Sequence, residues 1–472
     1  MKRTVFILLT LISFHSYSQV VSTVLADAYK TFVADSQLLS AISSLYVIDA
    51  KSGDVVFDMN SRVGLATAST MKIITSASAY EILGKEFRYT TEFGYYGQKR
   101  DNNLNGSLYI KPSGDPTLGS WRWKQTNEDS VINRITNAFR QIQVKNYKNL
   151  VVDATGWEGE AIPGGWTWDD LGQYYGAPAD ALNWRENQFD MVLKSGDHIG
   201  DKVIIKETRP RLYSYNYVSY VRASAKGTGD NSYMFLPLGT NVGVVRGTIP
   251  VGEENFVISG AMPSGKYQFV STLSDALTIK GISHSIPSIT IDSATGDKRI
   301  DPSIVTIIHQ EQSPVLDSIV FWFLRRSINL YGEALAKTIA STSNKTATTE
   351  NGTRIIRDYW SSKNIGIDKT ELNIQDGSGL SPQDRVTTHA QVAILNYAKK
   401  QPWFEGYYLA FPTYNGMKMK SGTINAVKGF CGYQTSSNGR EYIFSFLVNN
   451  YNGSATPLVN KMYKVLDVLK KY

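Results

Sequence analysis

The residue pair Ser69 and Lys72 has the types and the spacing that nucleophilic catalysis needs. A serine hydroxyl is a poor nucleophile until a base removes its proton. A lysine that is shielded from water and placed near other cations can lose its own proton and act as that base. Both residue types are common, so the alternative is a pair without function. Two observations favour chemistry: this is the only Ser-x-x-Lys in the chain, and its lysine lies in an apolar run where an unpaired charge is costly.

The element that must position this pair is a buried helix. Small and apolar residues continue from Ser69 to Leu83, and Gly84 then ends the run. Residues three apart lie on one face of a helix, so both side chains would point into the same space. The free N–H groups at the helix start would also favour a developing oxyanion. The sequence therefore predicts a helix over residues 69–83 with the pair in its first turn.

A second motif, Ser-x-Asn, could supply a proton relay and a substrate contact. It occurs four times, and only Ser327-Ile328-Asn329 lies between two helical segments. A bend there could direct Ser327 and Asn329 into a cleft. The alternative is a loop with a capping serine, because Ser and Asn favour helix ends. The other copies begin at Ser214, Ser362 and Ser436.

A third motif, Lys-Ser-Gly, could hold an anion. It occurs at Lys51, Lys194 and Lys420, and only the last copy continues an alternating, strand-like run into paired strands. On a strand, Lys420 would supply positive charge, Ser421 and Thr423 would offer hydroxyls to a carboxylate, and Gly422 would let a substrate backbone come close. The alternative is an exposed strand lysine.

The N-terminus has the pattern of an export signal. A basic start at Lys2 and Arg3 is followed by a short apolar run and by a small-x-small cleavage site before Gln19. The run is too short to span a bilayer, and no later stretch is apolar enough. We therefore expect a soluble, exported protein with a signal peptide over residues 1–18.

Composition limits the partners. The net charge of +7 falls to +5 without Lys2 and Arg3, a modest excess that suits contact with the polyanionic surface of the cell envelope. No basic cluster resembles a nucleic-acid site, and the five histidines show no metal-ligand spacing. The single cysteine, Cys431, cannot form an internal disulfide and is expected in the core.

The order of elements predicts one α/β domain split by a long insertion, in a chain of 472 residues that is long enough for two or three domains. A helix over residues 23–42 and a hairpin over 44–60 precede the Ser69 stretch. Short strands and turns dominate from about residue 87 to 300. Helices return near Pro314, and two strong strands and a terminal helix end the chain.

In this order, Ser69-x-x-Lys72, Ser327-x-Asn329 and Lys420-Ser421-Gly422 resemble the three motifs of penicillin-recognising serine enzymes. The separation of 258 positions from Ser69 to Ser327 makes the chain similar to the D-alanyl-D-alanine carboxypeptidase/endopeptidase family, the class C low-molecular-mass penicillin-binding proteins. Further similar stretches are Ser113-Gly114-Asp115-Pro116-Thr117-Leu118, residues 166–178, Leu330-Tyr331-Gly332-Glu333-Ala334-Leu335 and Asp376-Gly377-Ser378-Gly379-Leu380-Ser381. Ile328 stands where the family usually has aspartate, and Ser421 where it usually has threonine.

The resemblance implies a multidomain α/β fold: a penicillin-binding-protein/β-lactamase-like domain, with an antiparallel sheet flanked by helices, split by a large β-rich nested insertion. The catalytic domain would comprise residues 19–87 and 303–472. An inserted domain would comprise 88–187 and 241–302, and a second nested β-rich domain 188–240.

The resemblance also implies a reaction, the cleavage of D-alanyl-D-alanine ends or D-Ala cross-links of peptidoglycan stem peptides in the periplasm, with β-lactams as covalent inhibitors. Ser69 would be the nucleophile, Lys72 its base and Ser327 the proton relay. The substrate would be held by Asn329, Lys420, Ser421, Gly422 and Thr423. The family needs no metal or organic cofactor. Two other functions remain open: a β-lactamase or esterase with the same residues, and a catalytically silent cell-wall scaffold.

Overall fold

The computed structural model describes residues 20–157, 161–237, 239–284, 289–292 and 300–472. The predicted signal peptide lies outside these ranges. The chain forms two compact units. The first unit comprises the chain up to Lys85, Val320–Ser327 and Thr353–Tyr472, and the second unit comprises Glu86–Ile319 and Ile328–Gly352. The first unit is thus interrupted by the segments of the second unit, which corresponds to the predicted domain split by a long insertion. The predicted borders of the three domains remain a prediction.

The first unit is built on a six-stranded antiparallel sheet. The predicted hairpin forms its last two strands, and the two strong late strands form its centre. Both ends of the chain therefore contribute to one sheet, as the sequence indicates. In sheet order the strands are Thr413–Tyr414, Met417–Ile424, Val427–Thr435, Glu441–Asn449, Ile42–Asp49 and Val55–Met59.

Helices cover this sheet. A cluster of large apolar side chains, among them Leu25, Phe446 and Met462, joins the helix over residues 20–33 and the C-terminal helices to the sheet. Complete burial of each such side chain contributes about 1.5–3 kcal/mol to folding. The remaining elements of this unit are the helices Lys72–Leu83, Thr388–Ala398, Phe404–Ala410, Ala455–Leu466 and Val468–Lys471, the short 3-10 turns Ser36–Leu38, Ala68–Met71 and Lys369–Glu371, and the paired strands Leu372–Asn373 and Arg385–Val386.

The helix predicted over residues 69–83 is present. It begins with a 3-10 turn, Ala68–Met71, and continues as the α-helix Lys72–Leu83. Gly84 ends it with a φ of 83°, a conformation that a residue without Cβ adopts readily. Its residues from Lys72 to Tyr80 are buried, so packing stabilises it on all sides.

The second unit is rich in β-structure, as predicted. A seven-stranded sheet contains Thr90–Arg100, Asn103–Lys111, Asn146–Tyr147, Asn149–Asp153, Ser283–His284, Ile289–Asp292 and Thr306–Gln312. One three-stranded sheet contains Asn231–Phe235, Val242–Pro250 and Asn216–Ser224, and another contains Phe256–Ala261, Gln188–Lys194 and Ile204–Arg209. The helices Glu128–Gln141 and Gly265–Ile279 contribute Phe139 and Phe269 to the core of the larger sheet.

The second unit also contains short helical segments and the helix that follows the second motif. These are Trp168–Leu171, Tyr174–Gly176, Arg185–Asn187, Pro302–Ile304 and Asn329–Thr342. Two further helices, Leu316–Arg326 and Thr349–Ser362, contribute residues to both units. In the part of the chain that the structure describes, none of the helices has the length and hydropathy needed to span a bilayer.

Candidate active site

Ser69 and Lys72 lie together in the first unit, as the sequence predicts. Lys72 Nζ is hydrogen-bonded to Ser69 Oγ at 2.9 Å and donates to the carbonyl oxygen of Ser378 at 2.6 Å. The Lys72 side chain is fully buried, whereas Ser69 is partly exposed among buried neighbours. A shielded amine therefore contacts a hydroxyl that a substrate can reach, which is the arrangement that serine activation requires.

Two close main-chain approaches position the turn that carries Ser69. An added Cβ at Gly422 would lie 2.6 Å from Thr67 O and 2.9 Å from Ser69 N, so the third-motif strand packs directly on this turn. An added Cβ at Gly379 would lie 2.0 Å from the carbonyl oxygen of Ala68. Ala68 itself has a φ of 45°, which residues with a Cβ rarely adopt. Such conformations persist only where the surrounding packing imposes them, and they concentrate at functional sites.

Ser327 and Lys420 form a second contact in the first unit. Ser327 follows the helix Leu316–Arg326 and has a φ of 58°, again in the left-handed region. Lys420 Nζ lies 2.9 Å from Ser327 Oγ and 2.7 Å from Ser421 O. The second and third motifs, 93 residues apart, are therefore joined through the side chain that was expected to relay a proton.

The electrostatics of Lys420 match a site for an anion. Lys420 is 1% exposed, and burial lowers its pKa well below the usual value, with a further decrease from the positive charge of Lys72. No carboxylate forms an ion pair with Lys420 among the described residues. Its register partner on the next strand is Cys431, which is fully buried, as expected for a core residue. The positive charge of Lys420, close to that of Lys72, makes a region of positive potential that favours bound carboxylate.

Lys420, Ser421, Gly422 and Thr423 lie on the strand Met417–Ile424, as predicted. Gly422 is buried, Ser421 is half-buried and Thr423 is exposed. On the outer side, the short strand Thr413–Tyr414 pairs only with Lys418 and Met417. Among the described strands of the sheet, none pairs with the residues from Lys420 onward on that side, so their edge can pair with an extended peptide.

Asn329 belongs to the second unit. It is the first residue of the helix Asn329–Thr342, it is 6% exposed, and its Nδ2 donates to Tyr175 O at 2.8 Å. Ile328, which stands where the family usually has aspartate, is 7% exposed, and burial at this position would disfavour an unpaired carboxylate.

The other copies of the short motifs have structural positions. Ser362 ends a helix and Ser436 lies in a turn beside Gly439, as the sequence indicates. Lys51 lies in the hairpin turn, and Lys194 forms a surface ion pair with Glu254. The side-chain hydrogen bonds of Ser362 and Ser436 stay within the helix end and the turn that carry them.

A model of the D-Ala-D-Ala carboxypeptidase 3 (S13) family matches residues 25–469. The chain belongs to this family. It is 24% identical to a D-alanyl-D-alanine carboxypeptidase of Actinomadura sp. (strain R39) over 460 residues, 92% of this chain and 82% of that protein. It is 21% identical to the D-alanyl-D-alanine carboxypeptidase DacB of Haemophilus influenzae over 89% of each chain. The protein is thus a serine-type D-Ala-D-Ala peptidase.

Comparison with solved structures confirms the predicted fold of this S13 peptidase. The crystal structure of penicillin-binding protein 4 (dacB) from Haemophilus influenzae has a TM-score of 0.79 at 19% identity, and the match covers 95% of this chain and 99% of that one. A second structure of that protein, in complex with a β-lactam, matches with a TM-score of 0.73 at 17% identity over the same shares of the two chains.

Two further elements of this S13 site were not assigned a role from the sequence. The loop Asp376–Ser381 positions Lys72, since Ser378 O accepts from it and Gly377 O accepts from Thr75 Oγ1 at 2.7 Å. The Asp376 carboxylate in turn accepts the main-chain N–H groups of Ser378 and Ser381 at 3.0 and 2.6 Å, which fixes the loop. An aspartate followed by small residues is a turn signal, and it could have indicated such a loop.

The other unassigned residue is Lys428, on the strand beside the third motif. Its Nζ lies 2.7 Å from Thr423 Oγ1. Its sequence context, Val427-Lys428-Gly429-Phe430, indicates only a strand residue.

Proposed function

We propose that Ser69 is the acylated nucleophile of a DD-peptidase that cleaves D-alanyl-D-alanine ends and D-Ala cross-links of peptidoglycan stem peptides, and that β-lactams inhibit it covalently. The observation that carries this proposal is the 2.9 Å contact between a buried lysine amine, Lys72 Nζ, and the partly exposed hydroxyl of Ser69. A neutral Lys72 would accept the proton of Ser69 as its oxygen attacks the D-alanyl carbonyl carbon.

The tetrahedral intermediate would then need stabilisation of its oxyanion and a proton for its leaving amine. Main-chain N–H groups of Ser69 and Thr423 would bind the oxyanion, which the close packing of Gly422 on the Ser69 turn supports. Ser327 would donate its proton to the leaving amine as the C–N bond breaks, and Lys420, at 2.9 Å, would resupply it. Water would then hydrolyse the Ser69 ester and release the shortened peptide.

Substrate recognition would rest on the third-motif strand. Lys420, Ser421 and Thr423 would hold the terminal carboxylate, and the unpaired edge of the strand would bind the peptide main chain. Asn329 would bind the peptide amide. Since the family acts on cell-wall peptides, the protein would act outside the cytoplasm, in the periplasm, with peripheral contact to the cell envelope favoured by its positive charge.

Labelling with a fluorescent penicillin tests the nucleophile. The wild type is expected to form a covalent adduct that Ser69→Ala abolishes, while peptide mapping of the wild-type adduct identifies Ser69. Ser362→Ala is the matched control and should label normally, because the Ser362 hydroxyl donates to Tyr359 O at the end of its own helix. Undiminished labelling of Ser69→Ala would exclude the assignment. Fast release of the penicilloyl group would instead indicate a β-lactamase, and binding of peptidoglycan without turnover would indicate a scaffold.

A further inference from the structure

Lys428 is a buried lysine directly beside the third motif. It lies opposite Thr423 in the register between the strands Met417–Ile424 and Val427–Thr435. The residue is only 8% exposed. Its Nζ donates to Thr423 Oγ1 at 2.7 Å and lies 4.9 Å from the ring centroid of Phe430. The ammonium group is therefore directed towards the hydroxyl that is expected to face the substrate.

The charge of Lys428 has no counter-ion in the described part of the chain. Its two polar or aromatic contacts are neutral, and none of the ion pairs formed by the described residues includes it. Burial lowers the pKa of Lys428 to about 8, and the positive charge of Lys428 contributes to the lowered pKa of Lys420. Burial of an unpaired charge is costly, so a cation in this position is best explained by an anion that arrives from outside.

The contact with Thr423 also fixes the direction of that residue's proton. A threonine hydroxyl has one hydrogen and two acceptor lone pairs. Because Lys428 occupies a lone pair of Thr423 Oγ1, the hydroxyl hydrogen points elsewhere and can be donated to a ligand. A carboxylate bound there would accept a hydrogen bond that the neighbouring ammonium strengthens, because charged groups in a low dielectric polarise the chain of hydrogen bonds.

We propose that Lys428 is a positioning residue for the terminal carboxylate of the substrate, which it favours by orienting the Thr423 hydroxyl and by adding a buried positive charge behind it. The inference rests on the proposed function, since it takes the peptide's free carboxylate as the ligand of the third-motif strand. It differs from the role of Lys420, which would both hold the carboxylate and, through the contact of its Nζ with Ser327, take part in proton transfer.

The test compares two forms of one substrate, one with a charged C-terminal carboxylate and one with a neutral C-terminal amide. An N-acylated peptide that ends in D-Ala-D-Ala is supplied as the free acid and as the C-terminal amide, and kcat and KM are measured for both. Lys428→Met should raise KM for the free acid roughly tenfold to a hundredfold, as expected for a lost interaction with a charged group. Its kcat for the acid, and both constants for the amide, should stay within about threefold of the wild type.

Two further variants separate positioning from structure. Lys428→Arg keeps a cation that can reach Thr423, so it should retain most of the affinity for the acid. If Lys428 only filled space, the charge of its replacement would not matter for this affinity. Lys418→Met is the matched control: it removes a lysine from the neighbouring strand whose pKa burial also lowers, but whose Nζ donates to Phe411 O. It should not change the ratio of acid to amide KM values.

The outcomes distinguish this inference from the function on which it rests. If wild-type protein hydrolyses the free acid and labels at Ser69, but Lys428→Met changes the KM of acid and amide equally or changes neither, the positioning role is refuted while the proposed function stands. If the wild type is not labelled at Ser69, the proposed function itself fails. Thermal unfolding of each variant gives the fraction folded, and an Lys428→Arg protein that folds but loses acid affinity as severely as Lys428→Met also refutes the role.

Discussion

Gly422 should be as important for acylation as a residue that reacts. Its Cα carries no side chain because the strand lies against the main chain of the Ser69 turn, and an added Cβ would be 2.6 Å from Thr67 O and 2.9 Å from the nitrogen atoms of Ser69 and Thr70. These are main-chain atoms, which cannot swing away as a flexible side chain can. Gly422→Ala must therefore move the strand, the turn, or both.

The size of the movement follows from these distances. A contact of 2.6 Å is 0.8 Å short of the 3.4 Å at which ordinary van der Waals contact begins. Overpacking of this kind costs about 1–3 kcal/mol of stability. Because the displaced groups are the nucleophile and the amides expected to bind the oxyanion, a misplacement of about 1 Å should reduce the acylation rate by about 10²-fold.

The assay is the second-order rate constant for acylation by a fluorescent penicillin, with thermal unfolding measured on the same samples. Gly64→Ala is the matched control, since its added Cβ would meet Arg385 Cβ at an ordinary 3.4 Å. Gly429→Ala, opposite Gly422 in register, would mainly meet the end of the Leu447 side chain and should affect stability more than acylation. If folded Gly422→Ala acylates within threefold of the wild type, the packing argument is wrong.

Three other changes have expected outcomes. Lys72→Arg keeps the charge but cannot readily release a proton, so acylation should fall by about 10²–10⁴-fold, and near-normal acylation would contradict the base assignment. Lys420→Ala should slow hydrolysis of both acid and amide peptides, because its Nζ contacts Ser327; a loss confined to the acid would limit it to anchoring. Burial alone would raise the pKa of Glu371, but hydrogen bonds from His389 and Thr387 lower it to about 2. Its ionised form therefore stabilises the fold above its unfolded pKa of about 4.3, and this stabilisation is lost as the pH falls towards 2. Glu371→Gln should lower the unfolding temperature at pH 7, and its difference from the wild type should shrink over that acidic range; a difference independent of pH would contradict this reasoning.

Local pattern was sufficient for several elements. The apolar run that ends at Gly84 correctly predicted the helix that carries Ser69 and Lys72. The spacing of three residues correctly predicted that their side chains are in contact. The alternation of apolar and charged residues before Lys420 correctly predicted the strand on which Lys420 lies. The bend at Ser327 between two helices was likewise visible, because helix and strand periodicities are properties of neighbouring residues. The first helix was predicted too long: it covers residues 20–33, and a 3-10 turn and the strand Ile42–Asp49 follow it.

Contacts between distant segments were decided only by the tertiary structure. The hydrogen bond from Lys420 to Ser327 and the support of Lys72 by Ser378 O join residues whose local sequences carry no sign of each other. The sequence could indicate which residue types were available for chemistry. Which of these residues come into contact depends on the order of strands in the sheet and on close main-chain packing. Both result from burial of the whole core, which no short stretch of residues determines.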